Sequence, residues 1–250
     1  MGGELKKLEK NWLPTAERFV VFIDLLGFKD LVLRNSHEKV YSIMSELSNL
    51  KEDLQEITGG NENLDPKYHD KELYTTSFSD SIIIFSKDDS PESLNIISVT
   101  AAVLIAEAIE KQIPMKGAIA HGLISVNKGK QIYFGQPIID AYLIQEELSY
   151  FGIVAHNSID HYLQNNRIDP LILSHFKDIK TPFKYGSITH NNINWFESIS
   201  SDTKKRKIIF YSYMNGLKKS TSGLPRRYVD NTIEVFDNIY RKKIRNKTQL

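Results

Sequence analysis

The sequence predicts an α+β fold, with one mixed sheet flanked by helices and followed by a C-terminal helical extension. Three observations carry that prediction. Phe19–Ile23 (FVVFI) is a continuous apolar run of β-branched and aromatic residues that stops at Asp24, the pattern of a buried strand. Two β-rich runs, ELYTTSF and SIIIFS, meet at Ser79–Asp80 and read as a hairpin. Ser90-Pro91-Glu92 opens a helix to about Lys111, with Ser90 placed to cap it and Pro91 at its first position.

The remaining elements follow in order. After Gly27, a helical period runs through Phe28, Leu31, Val32, Val40, Ile43, Met44 and Leu47. Residues 58–72, with their Gly, Asn and Pro, form a polar loop. MKGAIAHGLISV reads as a strand or a bulged pair carrying two glycines, and leads through NKGKQ to IYFG. A helix spans Gln136 to Leu148, GIVAH is a strand, and residues 158–165 are a short helix. KDIKTPFKYG with NINWF makes a final hairpin, and residues 201–250 look helical throughout. The resulting division is an N-terminal segment (1–17), a mixed-sheet unit (18–200) and a basic extension (201–250).

Composition narrows the function classes. The 250 residues are 41% hydrophobic and 25% charged and contain no cysteine, which excludes disulfides, thiolate metal sites and cysteine nucleophiles. The first residues, MGGELKKLEKNWLPTAER, lack the apolar core of a signal peptide, and no apolar run approaches the roughly 20 residues of a bilayer span. The expected location is the cytoplasm. A net charge of +1 conceals an asymmetry: residues 201–250 hold 13 Lys+Arg and 4 Asp+Glu, leaving 19 and 27 for the first 200. An acidic body thus carries a basic extension. Its clusters KKRK, KK, RR and RKK surround the apolar groups Ile208, Ile209, Phe210, Tyr211 and Val235, Phe236, Ile239, Tyr240, which suggests helices docked on the body or on a partner copy; nucleic-acid contact is the rival reading.

Two acids stand at informative places. Asp24 ends the first strand and Asp80 sits at the hairpin tip, positions that a mixed sheet can bring side by side. Singly, each has a structural reading as an N-cap or a turn residue. Together they offer the oxygen ligands that Mg²⁺ or Mn²⁺ prefers. Between Asp24 and the helix, the amides of Leu26, Gly27 and Phe28 would face outward at a helix N-terminus, where phosphates bind.

These segments resemble a known family. FVVFIDLLGFKDL resembles the opening strand–turn–helix of class III nucleotidyl cyclases, and SFSDSIIIF their second hairpin, with Ser79-Asp80 in place of Gly-Asp. MKGAIAHGLIS is similar to their Arg-Ile-Gly-Ile-His-Thr-Gly strand, with Lys116 at the Arg position, and FGQPIIDAYLIQEEL looks like their following helix start. The four segments span about residues 18–197. Within the superfamily they look closest to the bacterial pyrimidine cyclases of Pycsar anti-phage systems, which make cyclic UMP or cyclic CMP. The fold implied is the class III cyclase (ferredoxin-like) mixed sheet.

The resemblance implies a reaction with two divalent cations, in which the ribose 3′-hydroxyl of a nucleoside triphosphate attacks the α-phosphorus and expels pyrophosphate. Carried across, Asp24 and Asp80 are the metal carboxylates and Leu25 lends a backbone carbonyl. Leu26, Gly27 and Phe28 supply amides to the phosphates, and Lys180 matches a lysine that reaches the terminal phosphate, although a solvated hairpin lysine reads the same. Thr76 falls at the base-reading position and Ile132 at its partner; neither suits a purine, and Tyr74 on the same strand face could shorten the pocket. Burying a Thr hydroxyl could serve UTP or CTP, since it both donates and accepts, and UTP is the expected substrate.

The transition-state Asn and Arg of the family fall at Ile139 and Leu143, or at Asp140 and Ile144 after a one-residue shift. Lys116 is then the candidate for the missing positive charge. His121 reads either as a general base or as a partly buried structural residue. The resemblance also implies a homodimer with sites between subunits, and a separately encoded effector for the cyclic product.

Overall fold

A computed structural model of the chain describes residues 12–58 and 65–247. The chain enters through strand β1 (Thr15–Leu25), which is longer than its apolar run and buried on both faces from Phe19 to Ile23. Two helices follow, α1 (Phe28–Arg34) and α2 (His37–Thr58). The sequence reads as one helical period there. The structure breaks it at Asn35, which takes an extended conformation (φ −124°, ψ 160°), and the Ser36 hydroxyl caps the second helix by accepting from the Lys39 amide. A single 3₁₀ turn (Pro66–Tyr68) leads into the hairpin β2 (Leu73–Phe78) and β3 (Ser81–Ser86); residues 59–64 of the expected polar loop lie outside the described residues.

Helix α3 (Pro91–Glu110) starts as its cap predicts, the Ser90 hydroxyl accepting from the Ser93 amide. This helix corrects one expectation: by length and composition it could cross a membrane, yet 72% of its apolar window is buried inside the fold. It packs over β1, β3 and β4 (Met115–Asn127). After β5 (Ile132–Phe134) comes α4 (Gln136–Glu147), followed by β6 (Ile153–Ala155) and α5 (Asn157–Asn165). The short helix α6 (Pro170–Ser174), capped by Asp169, is absent from the sequence reading. The last hairpin is β7 (Phe176–Phe183) and β8 (Gly186–Ile193); Trp195 and Phe196, expected within it, sit in a buried 3₁₀ turn instead.

The sheet runs β2-β3-β1-β4-β6-β8-β7, with β5 paired to β4. Only the β4–β6 pair is parallel, so the sheet is mixed as expected. Side chains alternate between its faces. Phe22 meets Tyr142 of α4 on one face, whereas Phe19 meets Tyr162 of α5 on the other.

The basic extension, helical as expected, folds onto this body as α7 (Thr203–Ser220) and α8 (Gly223–Lys247). Phe210 and Phe236 stack at 3.8 Å between ring centroids, with Trp195 and Phe196 against Phe210. Val235 and Tyr240 are buried as well, but Ile208 points to solvent. Several basic residues are engaged within the extension itself. Arg206 is buried and donates to the Tyr240 hydroxyl, and Lys218 and Arg226 share Asp230.

Candidate active site

The site sits where β1 ends between its two neighbours. The register sets Asp24 opposite Ser81 of β3 and opposite Lys116 of β4, so all three lie on the sheet face that α4 covers. The hairpin turn is tied to the strand end, because the Leu25 amide donates to the Asp80 carbonyl at 2.9 Å. The turn itself needs a positive φ (56°) at Ser79, where the family resemblance has glycine. Asp24 and Asp80 therefore stand side by side.

Electrostatics mark the pair. The Asp24 carboxyl is pushed up to about 6: burial is the main cause, the Asp80 charge adds to it, Lys116 opposes it, and Glu146 adds a little. Among the described residues neither carboxylate accepts a hydrogen bond or joins an ion pair. Lys116 is only 4% exposed, and its ammonium donates to the Glu146 carbonyl at 3.2 Å. Burial pulls its pKa down, against the Glu146 and Asp24 charges.

Two unpartnered carboxylates and the Leu25 carbonyl are hard oxygen donors that fit a Mg²⁺ or Mn²⁺ ion, and a cation there would offset both the burial and the Asp80 repulsion that raise Asp24. Among the described residues no cluster of three or more acids or histidines exists, so further ligands must come from substrate phosphate or water.

The strand-to-helix turn is partly as expected. Gly27 adopts a left-handed conformation (φ 79°) that only glycine takes at little cost, and its carbonyl accepts the Leu31 amide. The amides of Gly27 and Phe28 stand at the open end of α1, which supplies them no intrahelical partner. Leu26 is a correction: its amide donates to the Pro114 carbonyl at 2.9 Å and is spent within the fold.

Other expected site residues lie apart from this cluster. Tyr74 and Thr76 do share a face with each other and with Asp24, but β3 intervenes. The Tyr74 hydroxyl is paired with that of Tyr133 at 2.5 Å, and its ring stacks on Phe85. Lys180 is exposed on β7, four strands from β1, so within this chain it does not join the carboxylates. His121 points to the opposite face: its ring packs on Phe19 and Tyr162 and its Nε2 lies 3.3 Å from Asp89. The general-base reading is thereby removed for this site.

On α4, Ile139 and Leu143 are 52% and 56% exposed, and Ile132 on β5 is 46% exposed. Asp140, the shifted alternative, accepts from the Gln136 amide group at 2.8 Å. Three neighbours went unrecognised in the sequence: Glu146, Lys184 and Tyr228. Lys184 lies 3.9 Å from Glu146 and 3.7 Å from Glu147, and Tyr228 of α8 is close enough for Glu146 and Asp24 to raise its phenol, after burial as the main cause. Helical spacing from Gly135 could have flagged Glu146, since α4 must end near the sheet end where β4 begins. Nothing local signals Lys184 or Tyr228.

No protein-family model matches the sequence, and no curated protein matches it. Solved structures do. The guanylate cyclase domain of RhGC from Catenaria anguillulae, in complex with GTP, superposes with a TM-score of 0.50 at 11% identity, covering 72% of this chain and 96% of that one. A bacterial light-regulated adenylyl cyclase gives 0.47 at 10% identity, over 80% of this chain and 98% of that one. The adenylyl cyclase CyaB from P. aeruginosa gives 0.43 at 13%, over 72% and 94%. At such identities the likeness speaks to architecture alone. The chain has the class III nucleotidyl cyclase fold.

Proposed function

We propose that the protein is a nucleotidyl cyclase acting on a pyrimidine nucleoside triphosphate, UTP or CTP. One observation carries the reading: Asp24 and Asp80 stand together, unpartnered, at the end of the central strand of a cyclase fold, with Asp24 pushed up to about 6. A fold with no ligand to bind there would gain from replacing one of them. Divalent cations held by Asp24, Asp80 and the Leu25 carbonyl would activate the ribose 3′-hydroxyl and neutralise charge on the phosphates.

The chain's own residues do the rest by position. In the reaction a bond forms between the 3′-oxygen and the α-phosphorus, the bond from that phosphorus to the bridging oxygen breaks, pyrophosphate leaves, and the hydroxyl proton passes to solvent. The Gly27 and Phe28 amides receive the terminal phosphates, and buried Lys116 supplies fixed positive charge behind Asp24. Thr76 and Tyr74, on the sheet surface beyond β3, read the base, with the Tyr74–Tyr133 pair shortening the space for it.

That surface, Lys180, and the exposed apolar residues Ile139, Tyr142 and Leu143 of α4 complete the site from a second copy, as a homodimer requires. Leu143→Glu would then shift the sedimentation coefficient to that of a monomer. The cyclic product serves as a cytoplasmic anti-phage second messenger for a separate effector, with 18–200 as the catalytic unit.

The exposed Ile139 and Leu143 favour a second reading, a cyclase-fold protein that binds nucleotide without turnover. Purified protein incubated with Mn²⁺ and each of the four triphosphates separates the two. A pyrimidine 3′,5′-cyclic monophosphate supports the first. No cyclic product, together with nucleotide binding by Asp24→Ala equal to wild type, refutes it.

A further inference from the structure

The basic extension is joined to the site end of the sheet by several hydrogen bonds, and its Tyr228 is near enough for the Asp24 charge to act on it. Thr232 of α8 is buried; its hydroxyl accepts the Phe151 amide at 2.9 Å and donates to the Tyr228 carbonyl at 2.7 Å. Asn231 donates to the Ser149 carbonyl at 2.7 Å, and Tyr228 stacks on Phe151. The segment they grip, residues 149–152, is also held by the Ser149 amide on the Pro182 carbonyl, the buried Tyr150 hydroxyl donating to Asn192 at 2.6 Å, and the Phe151 carbonyl accepting from the Trp195 indole.

From there the path to the site is short. The Gly152 carbonyl accepts the Gly117 amide at 2.8 Å. Gly117 lies opposite Ile23, and a Cβ built on it would stand 2.6 Å from the Phe22 carbonyl oxygen, so β4 and β1 are pressed together one residue from the Asp24–Lys116 pair. A second route runs through the last hairpin. Arg227 donates to the Lys184 carbonyl, the Lys184 amide to the Glu147 carbonyl, and the neighbouring Glu146 carbonyl holds the Lys116 ammonium. Close-packed interiors transmit such displacements and do not absorb them.

We propose that α8 is a clamp on the carboxylate site, with Thr232 and Asn231 as positioning residues that fix residues 149–152 and, through Gly117, the placement of Lys116 against Asp24. The extension is on this view part of the site's framework and not a nucleic-acid arm. Its effect on cation binding rests on the reading of Asp24 and Asp80 as a metal pair, whereas its effect on backbone order does not.

The test measures amide hydrogen exchange and Mn²⁺ affinity in full-length wild type, Thr232→Val and Thr232→Ser. The clamp predicts that Thr232→Val speeds exchange at Asp24 and Lys116 about tenfold and weakens Mn²⁺ about fivefold, and that Thr232→Ser restores both. Faster exchange confined to α8 and residues 149–152 overturns it. Should Thr232→Val fail to fold, Asn231→Ala, at a half-buried position, is measured in the same way. Wild type that does not bind Mn²⁺ while the exchange effect holds leaves the clamp standing and removes the metal reading. Mn²⁺ binding with unchanged exchange at Asp24 and Lys116 does the reverse.

Discussion

Asp24 and Asp88 stand at opposite ends of the same central strands, and the contrast between them separates what holds this fold from what it is built to do. Asp88 follows β3 and is surrounded by donors: the Lys71 ammonium at 2.8 Å, the Ser90 amide and hydroxyl at 3.0 and 2.6 Å, and the Ser93 hydroxyl at 2.6 Å. Burial alone would raise its pKa, yet those hydrogen bonds outweigh burial and hold the carboxyl far below the ordinary range. Asp24 is buried too, but its neighbour is another carboxylate, and it rises to about 6. Burial raises both carboxyls, and only the donors around Asp88 reverse the shift. One end of the sheet is satisfied internally, and the other leaves two carboxylates without a partner among the described residues.

The largest expected effect lies at the Asp24 end. Asp24→Ala or Asp80→Ala should lower cyclic-nucleotide formation by about 10³-fold or more, roughly 4 kcal/mol of transition-state stabilisation, with an unchanged circular dichroism spectrum. Retained turnover in either variant would erase the distinction between the two ends.

The satisfied end should instead answer in stability. Asp88→Ala removes a charge-assisted hydrogen-bonded centre and should cost about 2 kcal/mol in urea unfolding, a figure lowered for the partial exposure of the Lys71 pair. The pH dependence has a definite sign. Because the folded pKa lies below the unfolded one, Asp88 contributes fully above about pH 4 and loses that contribution as pH falls toward its folded value. Wild type should therefore weaken in acid more steeply than the variant.

Asp24→Asn should do the opposite. A folded pKa raised to about 6 means that the ionised group destabilises the native state; its favourable contribution is complete below about pH 4 and is lost as pH rises through 6. At pH 8 the variant should be about 1 kcal/mol more stable than wild type, after allowance for solvent screening, while being inactive. An equal or lower unfolding midpoint would show that Asp24 is already well accommodated. The smallest effect is expected at the turn beside it: Ser79→Gly relieves the positive φ and should add about 0.5 kcal/mol by thermal unfolding.

Much of the fold was legible because its signals are local. The FVVFI run, the Ser90-Pro91 cap and the alternating runs around Ser79–Asp80 each specify an element without reference to anything distant. The errors share a cause. The break at Asn35 and the 3₁₀ turn at Trp195 are made by packing and capping that periodicity does not report. The same holds within the site. Asp24 and Asp80 could be paired because strand ends and hairpin tips have few places to go, and the register then fixed Lys116 beside them. A motif match points to Lys180 and says nothing about which hairpin residue meets α4, and that residue is Lys184.

The sequence by itself determined the element types, the acidic body with its basic extension, and the two carboxylates, since these follow from residue chemistry and short-range pattern. The tertiary structure alone decided that the Leu26 amide is spent on Pro114, that His121 faces away from Asp24, and that α8 grips the segment behind Lys116. Those facts depend on contacts between residues far apart in the chain, and only closure of the sheet brings such residues within hydrogen-bonding distance.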